Sequence, residues 1–178
     1  KEFSVSYRLS THPMKKLIFS LFALDAFAQA ETTVTMTGVH NCCKSCTNGI
    51  VKAGTSAGKD ITVTAEGKTV TITTKKKTDA KKAVEAIIAA GYFGKVEGEE
   101  SASKTTKTEA KIAKATITGV HLCCQKCANA AIAAVKNVSG ITKHDIVSKA
   151  QSFTVEGEFT KAELAAALNA EGLAGTIN

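Results

Sequence analysis

Hydrophobic and polar residues alternate in a pattern that occurs twice along the chain. Residues 33–39 alternate and predict a strand that ends at a cysteine-containing loop. A short helix is expected from about Cys46 to Ala57, although its glycines make it a weak helix former. Alternating residues on both sides of residues 66–68 then predict a β-hairpin.

A second, better helix follows the hairpin. Thr78 is placed to cap it, and the apolar residues between Ala80 and Ile88 recur at helical spacing. Gly91 ends the helix, and residues 92–96 predict a last strand.

The second half of the chain repeats this order. An apolar stripe at 128–135 predicts the first helix, and Thr160 with Glu163 forms a capping-box pattern before the second, which Gly172 ends. Within this copy, strands are expected at residues 141–147, 151–155 and near 174–177.

Each half therefore reads strand, helix, strand, strand, helix, strand. That order predicts an α+β protein built from two tandem ferredoxin-like βαββαβ sandwiches. The expected domains are residues 31–97 and 112–178. Residues 98–111 are polar and predict a flexible linker.

The beginning of the chain predicts export. Residues 14–30 combine a basic start, a short apolar run and a small-residue cleavage site, which is the pattern of a signal peptide. Residues 1–13 are interpreted as a leader or a non-native extension. The apolar run is too short to span a bilayer, so a periplasmic or secreted protein without stable membrane insertion after signal cleavage is expected.

Charge changes this picture little. The formal net charge is +7, but the lysines are scattered and no aromatic residues lie between them, which argues against a nucleic-acid partner.

The cysteines carry the chemistry. Residues 35–48 align without a gap with residues 116–129, at an offset of 81, and each copy contains His-x-Cys-Cys-x-x-Cys. All six cysteines of the chain lie in these two loops. A Cys-x-x-Cys pair at a strand-to-helix turn directs two sulfurs to one point, and the helix N-terminus favours their thiolates, which bind soft ions.

The primary ligand pairs are expected to be Cys43 with Cys46, and Cys124 with Cys127. Several roles stay open for the extra cysteines, since each can act as a third ligand, a bridge to another chain or a resolving thiol. An added imidazole would complete a nitrogen and sulfur set suited to zinc, whereas thiolates alone favour Cu(I), silver or mercury. One soft ion per domain, Cu(I) or Zn(II), is expected. The additional candidate ligands are Cys42, Cys123, His40 and His121.

Other interpretations remain. The cysteines can form disulfides, perform thiol–disulfide exchange, or link the chain to a partner. No carboxylate pair or nucleophile–base constellation stands out, so an enzyme is not expected. Tyr92 and Phe93, with Leu173 in the second copy, can shield a metal from water or simply pack in the core.

From residue 33 to 177 the chain resembles two tandem heavy-metal-associated domains, the modules of copper chaperones, of metal-transporting ATPase N-termini and of the periplasmic mercury-binding protein. Thr-Gly-Val-His-x-Cys-Cys-x-x-Cys, the order of elements and Gly91-Tyr92 carry the resemblance. Together with the predicted signal peptide, it implies an exported protein that sequesters Cu(I), Zn(II) or Hg(II), or transfers it to a transport or acceptor protein. It also implies ligation by Cys43, Cys46, Cys124 and Cys127. The usual family loop, Gly-Met-x-Cys-x-x-Cys, lacks the histidine and the added cysteine seen here.

Overall fold

Each half of the sequence forms a sheet covered by two helices. A computed structural model describes residues 31–98, here the N-terminal unit, and residues 110–178, the C-terminal unit. The N-terminal unit contains β1 (Thr32–Thr37), α1 (Lys44–Ser56), β2 (Ile61–Glu66), β3 (Thr69–Thr74), α2 (Lys77–Ala89) and β4 (Lys95–Val96).

The C-terminal unit repeats this order of elements. It contains β5 (Ile112–Thr118), α3 (Gln125–Lys136), β6 (Ile141–His144), β7 (Ser152–Phe159), α4 (Lys161–Ala170) and β8 (Thr176–Ile177). Two four-stranded antiparallel sheets result, with strand orders β2-β3-β1-β4 and β6-β7-β5-β8. The α+β class is therefore confirmed, and the architecture is consistent with ferredoxin-like units.

The alternation seen in the sequence decides which face of each sheet is buried. In the hairpin β2–β3, Val63 lies opposite Ile72 and Ala65 lies opposite Val70. Val70 and Ile72 are fully buried, as are Ala80, Ala83 and Ile87 of α2. Burial of such side chains is the main favourable contribution to the stability of each unit.

The start of α2 differs from the prediction. Thr78 was expected to be the N-cap, but the N-cap is Lys76 and the helix begins at Lys77. The side chain of Thr74 explains the shift, because its hydroxyl accepts a hydrogen bond from the Lys76 N–H at 3.1 Å and lies 2.7 Å from the Lys76 carbonyl oxygen. This turn fixes the backbone two residues ahead of Thr78.

The bounds of two other elements also differ from the prediction. α1 begins at Lys44 and not near Cys46, and β6 ends at His144 and not at residue 147. The capping box is confirmed, since the Glu163 N–H donates to Thr160 Oγ1 at 3.1 Å and the Thr160 N–H donates to Glu163 Oε2 at 2.9 Å.

The last strand of each unit is shorter than predicted because the segment before it pairs with the other unit. Tyr92 forms an antiparallel bridge with Leu173. Around it, the Phe93 N–H donates to the Gly172 carbonyl and the Ala174 N–H donates to the Gly91 carbonyl, both at 3.0 Å. Tyr92 and Leu173 are 1% and 0% exposed, so this junction is as well buried as either core.

Gly91 and Gly172 make the junction possible. Their φ angles are 93° and 74°, which favours glycine. A Cβ on Gly91 would collide with the backbone of Gly119 and His121, and one on Gly172 would collide with that of Gly38 and His40. Each glycine thus allows one unit to approach the cysteine loop of the other.

The predicted leader, the signal peptide and most of the predicted linker lie outside the described residues. Within the two described ranges, none of the helices is long and apolar enough to cross a bilayer.

Candidate metal centre

The two cysteine loops lie against each other at the junction of the units. All six thiols are free. We call this group the cysteine cluster; its members are Cys42, Cys43, Cys46, Cys123, Cys124 and Cys127.

Sulfurs of the two loops lie as close to each other as sulfurs within a loop. Cys43 and Cys46 are 3.6 Å apart and Cys124 and Cys127 are 3.8 Å apart, measured between Sγ atoms. Across the junction, Cys46 and Cys127 are 3.7 Å apart, and both residues are fully buried. The predicted pairs therefore converge, and they converge on one another as well.

The cluster contains sets of three sulfurs in which every pair is 3.6 to 3.8 Å apart, and each set draws on both units. We call them the four sulfur triads. They are Cys42, Cys124 and Cys127; Cys42, Cys46 and Cys127; Cys46, Cys123 and Cys127; and Cys43, Cys46 and Cys123.

These triangles have the size of a metal–thiolate set. The centre of a triangle with 3.7 Å sides lies about 2.1 Å from each corner, close to the metal–sulfur bond of roughly 2.3 Å found in zinc–thiolate sites. When histidine nitrogens are considered as well, four groups of three ligand atoms lie within 4.8 Å of one another and could hold an ion. Three of these groups combine residues of both units.

Both helices that follow the loops point their N-termini at the cluster. Cys43 and Cys124 are the N-cap residues of α1 and α3, and neither helix has an acidic residue in its first turn. The uncapped amides there favour negative charge on the adjacent sulfurs.

The pKa values of the two N-cap thiols follow from this placement. The backbone N–H of Cys46 lowers the pKa of Cys43, with smaller effects of neighbouring thiols and amides. The N–H of Cys127 lowers the pKa of Cys124 to about 6. As neutral thiols these cysteines make no cap hydrogen bond; the amides stabilise the thiolate form.

The other four thiols of the cluster behave in the opposite way. Burial raises the pKa values of Cys42, Cys46 and Cys127, and raises that of Cys123 to about 12. At neutral pH the metal-free cluster thus combines a thiolate at Cys124 with protonated thiols at these four cysteines. A thiophilic cation that enters must displace those protons, so its binding strengthens as pH rises.

The difference in pKa between Cys124 and Cys127 predicts the order in which these thiols are alkylated. At pH 7, in metal-free and reduced protein, iodoacetamide should label Cys124 first, because a thiol with a pKa of about 6 is mostly thiolate there. Below pH 6 its rate should fall about tenfold per pH unit. Peptide mass spectrometry after short pulses measures this, with Cys127 of the same loop as the internal control. Equal labelling of both cysteines would contradict the assignment.

The two histidines occupy unequal positions. Burial lowers the pKa of both imidazoles, which keeps them neutral as ligation requires, and the Nε2 atoms of both are buried without a hydrogen-bond partner. His40 forms a possible ligand group with Cys42 and Cys127, whereas His121 belongs to none of the groups found among the described residues. His121 instead packs against Tyr92, with ring centroids 4.6 Å apart.

Tyr92 places a buried hydroxyl near the thiols of the cluster, which its position in the sequence did not indicate. Its hydroxyl is buried without a hydrogen-bond partner, and burial together with the neighbouring thiols raises its pKa. The hydroxyl lies against α1, where a Cβ on Gly49 would collide with it. Core packing or shielding was expected here, but only the difference from Leu173 in the second copy hinted at a role for the hydroxyl.

The unpartnered hydroxyl predicts an unusual stability effect. Tyr92→Phe should raise the free energy of unfolding of the metal-free protein by about 1 kcal/mol, because it removes a buried polar group that has no partner. Denaturant unfolding with and without metal measures it. The gain should shrink in the metal-loaded protein, where thiolates are available as acceptors. A loss of stability in the metal-free variant would show that the hydroxyl is already bonded.

All the predicted ligands lie at or beside one site. The roles of the individual residues as ligands, and one ion per domain, stay predictions, since the geometry alone shows that the groups could hold an ion.

No protein-family model matches the sequence, and no curated protein is significantly similar to it. The N-terminal soluble domains of Bacillus subtilis CopA match with 16% identity and a TM-score of 0.30, over 84% of this chain and 95% of that one. The first two RRM domains of yeast poly(U) binding protein Pub1 match with 9% identity and a TM-score of 0.24, over 83% and 98%.

Proposed function

We propose that this protein is an exported, non-enzymatic carrier that sequesters a soft metal ion or transfers it, using two tandem heavy-metal-associated domains at residues 31–97 and 112–178. The observation that carries the proposal is the cysteine cluster, in which free thiols from two identical motifs lie 3.6 to 3.8 Å apart. Thiolates at this spacing select ions such as Cu(I), Zn(II) and Hg(II) over hard cations.

Among these ions we favour Cu(I). The possible ligand groups contain three members each, and most of them are all-sulfur. Cu(I) is soft and accepts three thiolates, whereas structural zinc takes four ligands in a tetrahedron. The group of His40, Cys42 and Cys127 is the one that suits Zn(II), because it combines nitrogen and sulfur.

Transfer would proceed by ligand exchange at the rim of the cluster. Cys43 and Cys124 are only partly buried, and exposed residues follow each of them. A thiolate there can bind an ion that is still held by the thiolates of a donor protein, after which the buried sulfurs replace the donor's ligands. The ion keeps its oxidation state, and each incoming thiol releases one proton.

Metal titration tests this function. Reduced protein should bind Cu(I) in the presence of a competing chromophoric chelator, and a variant with all six cysteines changed to Ser should not. The matched control is His144→Ala, which removes an exposed histidine far from the loops in sequence and should bind as the parent does. Equal binding by the parent and the six-serine variant would overturn the proposal.

Thiol–disulfide exchange is the second candidate, favoured by the lowered pKa of Cys124 and its short distance to Cys127. A redox protein would reduce insulin catalytically with a thiol as the electron source. A metal carrier should show no turnover above the thiol alone in the same assay.

A further inference from the structure

We infer that the cysteine cluster is one shared polynuclear Cu(I)–thiolate centre that closes the junction between the units, and not two separate sites of one ion each. This inference rests on the proposed metal-binding function and specifies its ion, stoichiometry and structural consequence.

Geometry is the first argument. Each of the four sulfur triads contains cysteines of both units, so no triad survives if the units separate. Neighbouring triads share an edge: Cys42–Cys127, Cys46–Cys127 and Cys46–Cys123. A sulfur that belongs to several triads can bridge several ions, which is how thiolates build polynuclear clusters with soft metals.

Charge is the second argument. If all six cysteines are thiolates, most of their charge has to be neutralised by bound cations, because uncompensated charge in a buried site is strongly unfavourable. One Cu(I) in each of the four triads would leave two negative charges. The N-termini of α1 and α3 both face this site without acidic residues in their first turns, and each supplies about half a positive charge.

The third argument is the junction itself. The loop of each unit is held by the glycine segment of the other, since the His40 N–H donates to the Gly172 carbonyl at 3.1 Å and a Cβ on Gly91 would collide with His121. The segments that bring the units together therefore also bring the loops together. If docking of the units strengthens the binding of ions between the loops, the bound ions stabilise the docked arrangement by the same free energy.

Loading of the centre exchanges protons for Cu(I) ions. Each Cu(I) arrives as Cu(I), and full loading forms copper–sulfur bonds to all six cysteines, with one proton released by each thiol that is not already a thiolate. No electron is transferred. Loading should be cooperative, because an ion in one triad deprotonates and orients two of the three sulfurs of the neighbouring triad.

Native mass spectrometry of the full chain, titrated anaerobically with Cu(I), tests the inference. We expect a direct change from metal-free protein to a form with about four Cu(I), one for each triad, with little of the intermediate forms. Two variants serve as comparison, one with the three cysteines of the first loop changed to Ser and one with those of the second. Each should lose at least three-quarters of the copper, although it retains a complete Cys-Cys-x-x-Cys loop.

Separate sites give a different result. The parent would then bind two ions independently, and each loop variant would keep one ion with unchanged affinity; this would overturn the shared centre while metal binding stands. If the parent binds no Cu(I), both the shared centre and the proposed function fail. Because the stoichiometry of the parent already distinguishes these results, the test does not depend on the folding of either variant.

Discussion

Cys127→Ser should remove most of the bound copper, whereas Cys124→Ser should remove little. Cys127 belongs to three of the four sulfur triads and Cys124 to one. A serine hydroxyl is a poor ligand for a soft ion, so we expect about one Cu(I) to remain in the first variant and about three in the second. Native mass spectrometry at saturating Cu(I) measures both values.

The comparison is well matched, because both residues lie in the same loop and form its Cys-x-x-Cys pair. If that pair alone held an ion, each substitution would remove the same ion and the two variants would be equal. Equal losses would therefore contradict the shared centre. The symmetry of the cluster adds a check: Cys46→Ser should behave as Cys127→Ser does, and Cys43→Ser as Cys124→Ser.

Gly172→Ala should undock the units. The alanine Cβ would collide with the backbone of Gly38 and His40, so the substitution should destabilise the protein by about 1–3 kcal/mol beyond the cost of the backbone conformation. Denaturant unfolding of the metal-free protein measures this loss. Because undocking separates the loops, the variant should also lose the cooperative loading with Cu(I), although all six cysteines remain.

Gly119→Ala is the control for the backbone conformation. Gly119 has a φ angle of 76°, nearly that of Gly172 at 74°, but a Cβ there would meet nothing within 4 Å. Both variants share the cost of about 1–2 kcal/mol for a non-glycine residue in this region, so their difference isolates the collision. Equal stability of the two variants would show that the junction does not depend on Gly172.

Much of the fold could be predicted from the sequence because apolar periodicity reports which face of an element is buried. The alternation of Val63, Val70 and Ile72 placed the hairpin correctly, and Thr160 with Glu163 marked the start of α4. The error at Thr78 arose because a side-chain turn at Thr74, which has no periodic signal, determines where α2 begins.

The sequence identified the cysteines that form the cluster, but it did not indicate how the two loops are arranged. The repeated loops identified every sulfur, and helix N-termini explain the lowered pKa of Cys43 and Cys124. Docking of the units could not be derived, since it depends on a backbone approach between segments about 80 residues apart, where Gly91 and Gly172 seemed only to end helices. The sequence pattern of one unit contains no information about the face that the other unit covers.

X-ray absorption at the copper edge of fully loaded protein tests the shared centre most directly. We expect each copper to have three sulfur neighbours and at least one nearby copper, because adjacent triads share an edge. Copper with two sulfur neighbours and no second copper within bonding range of the same thiolates would contradict it.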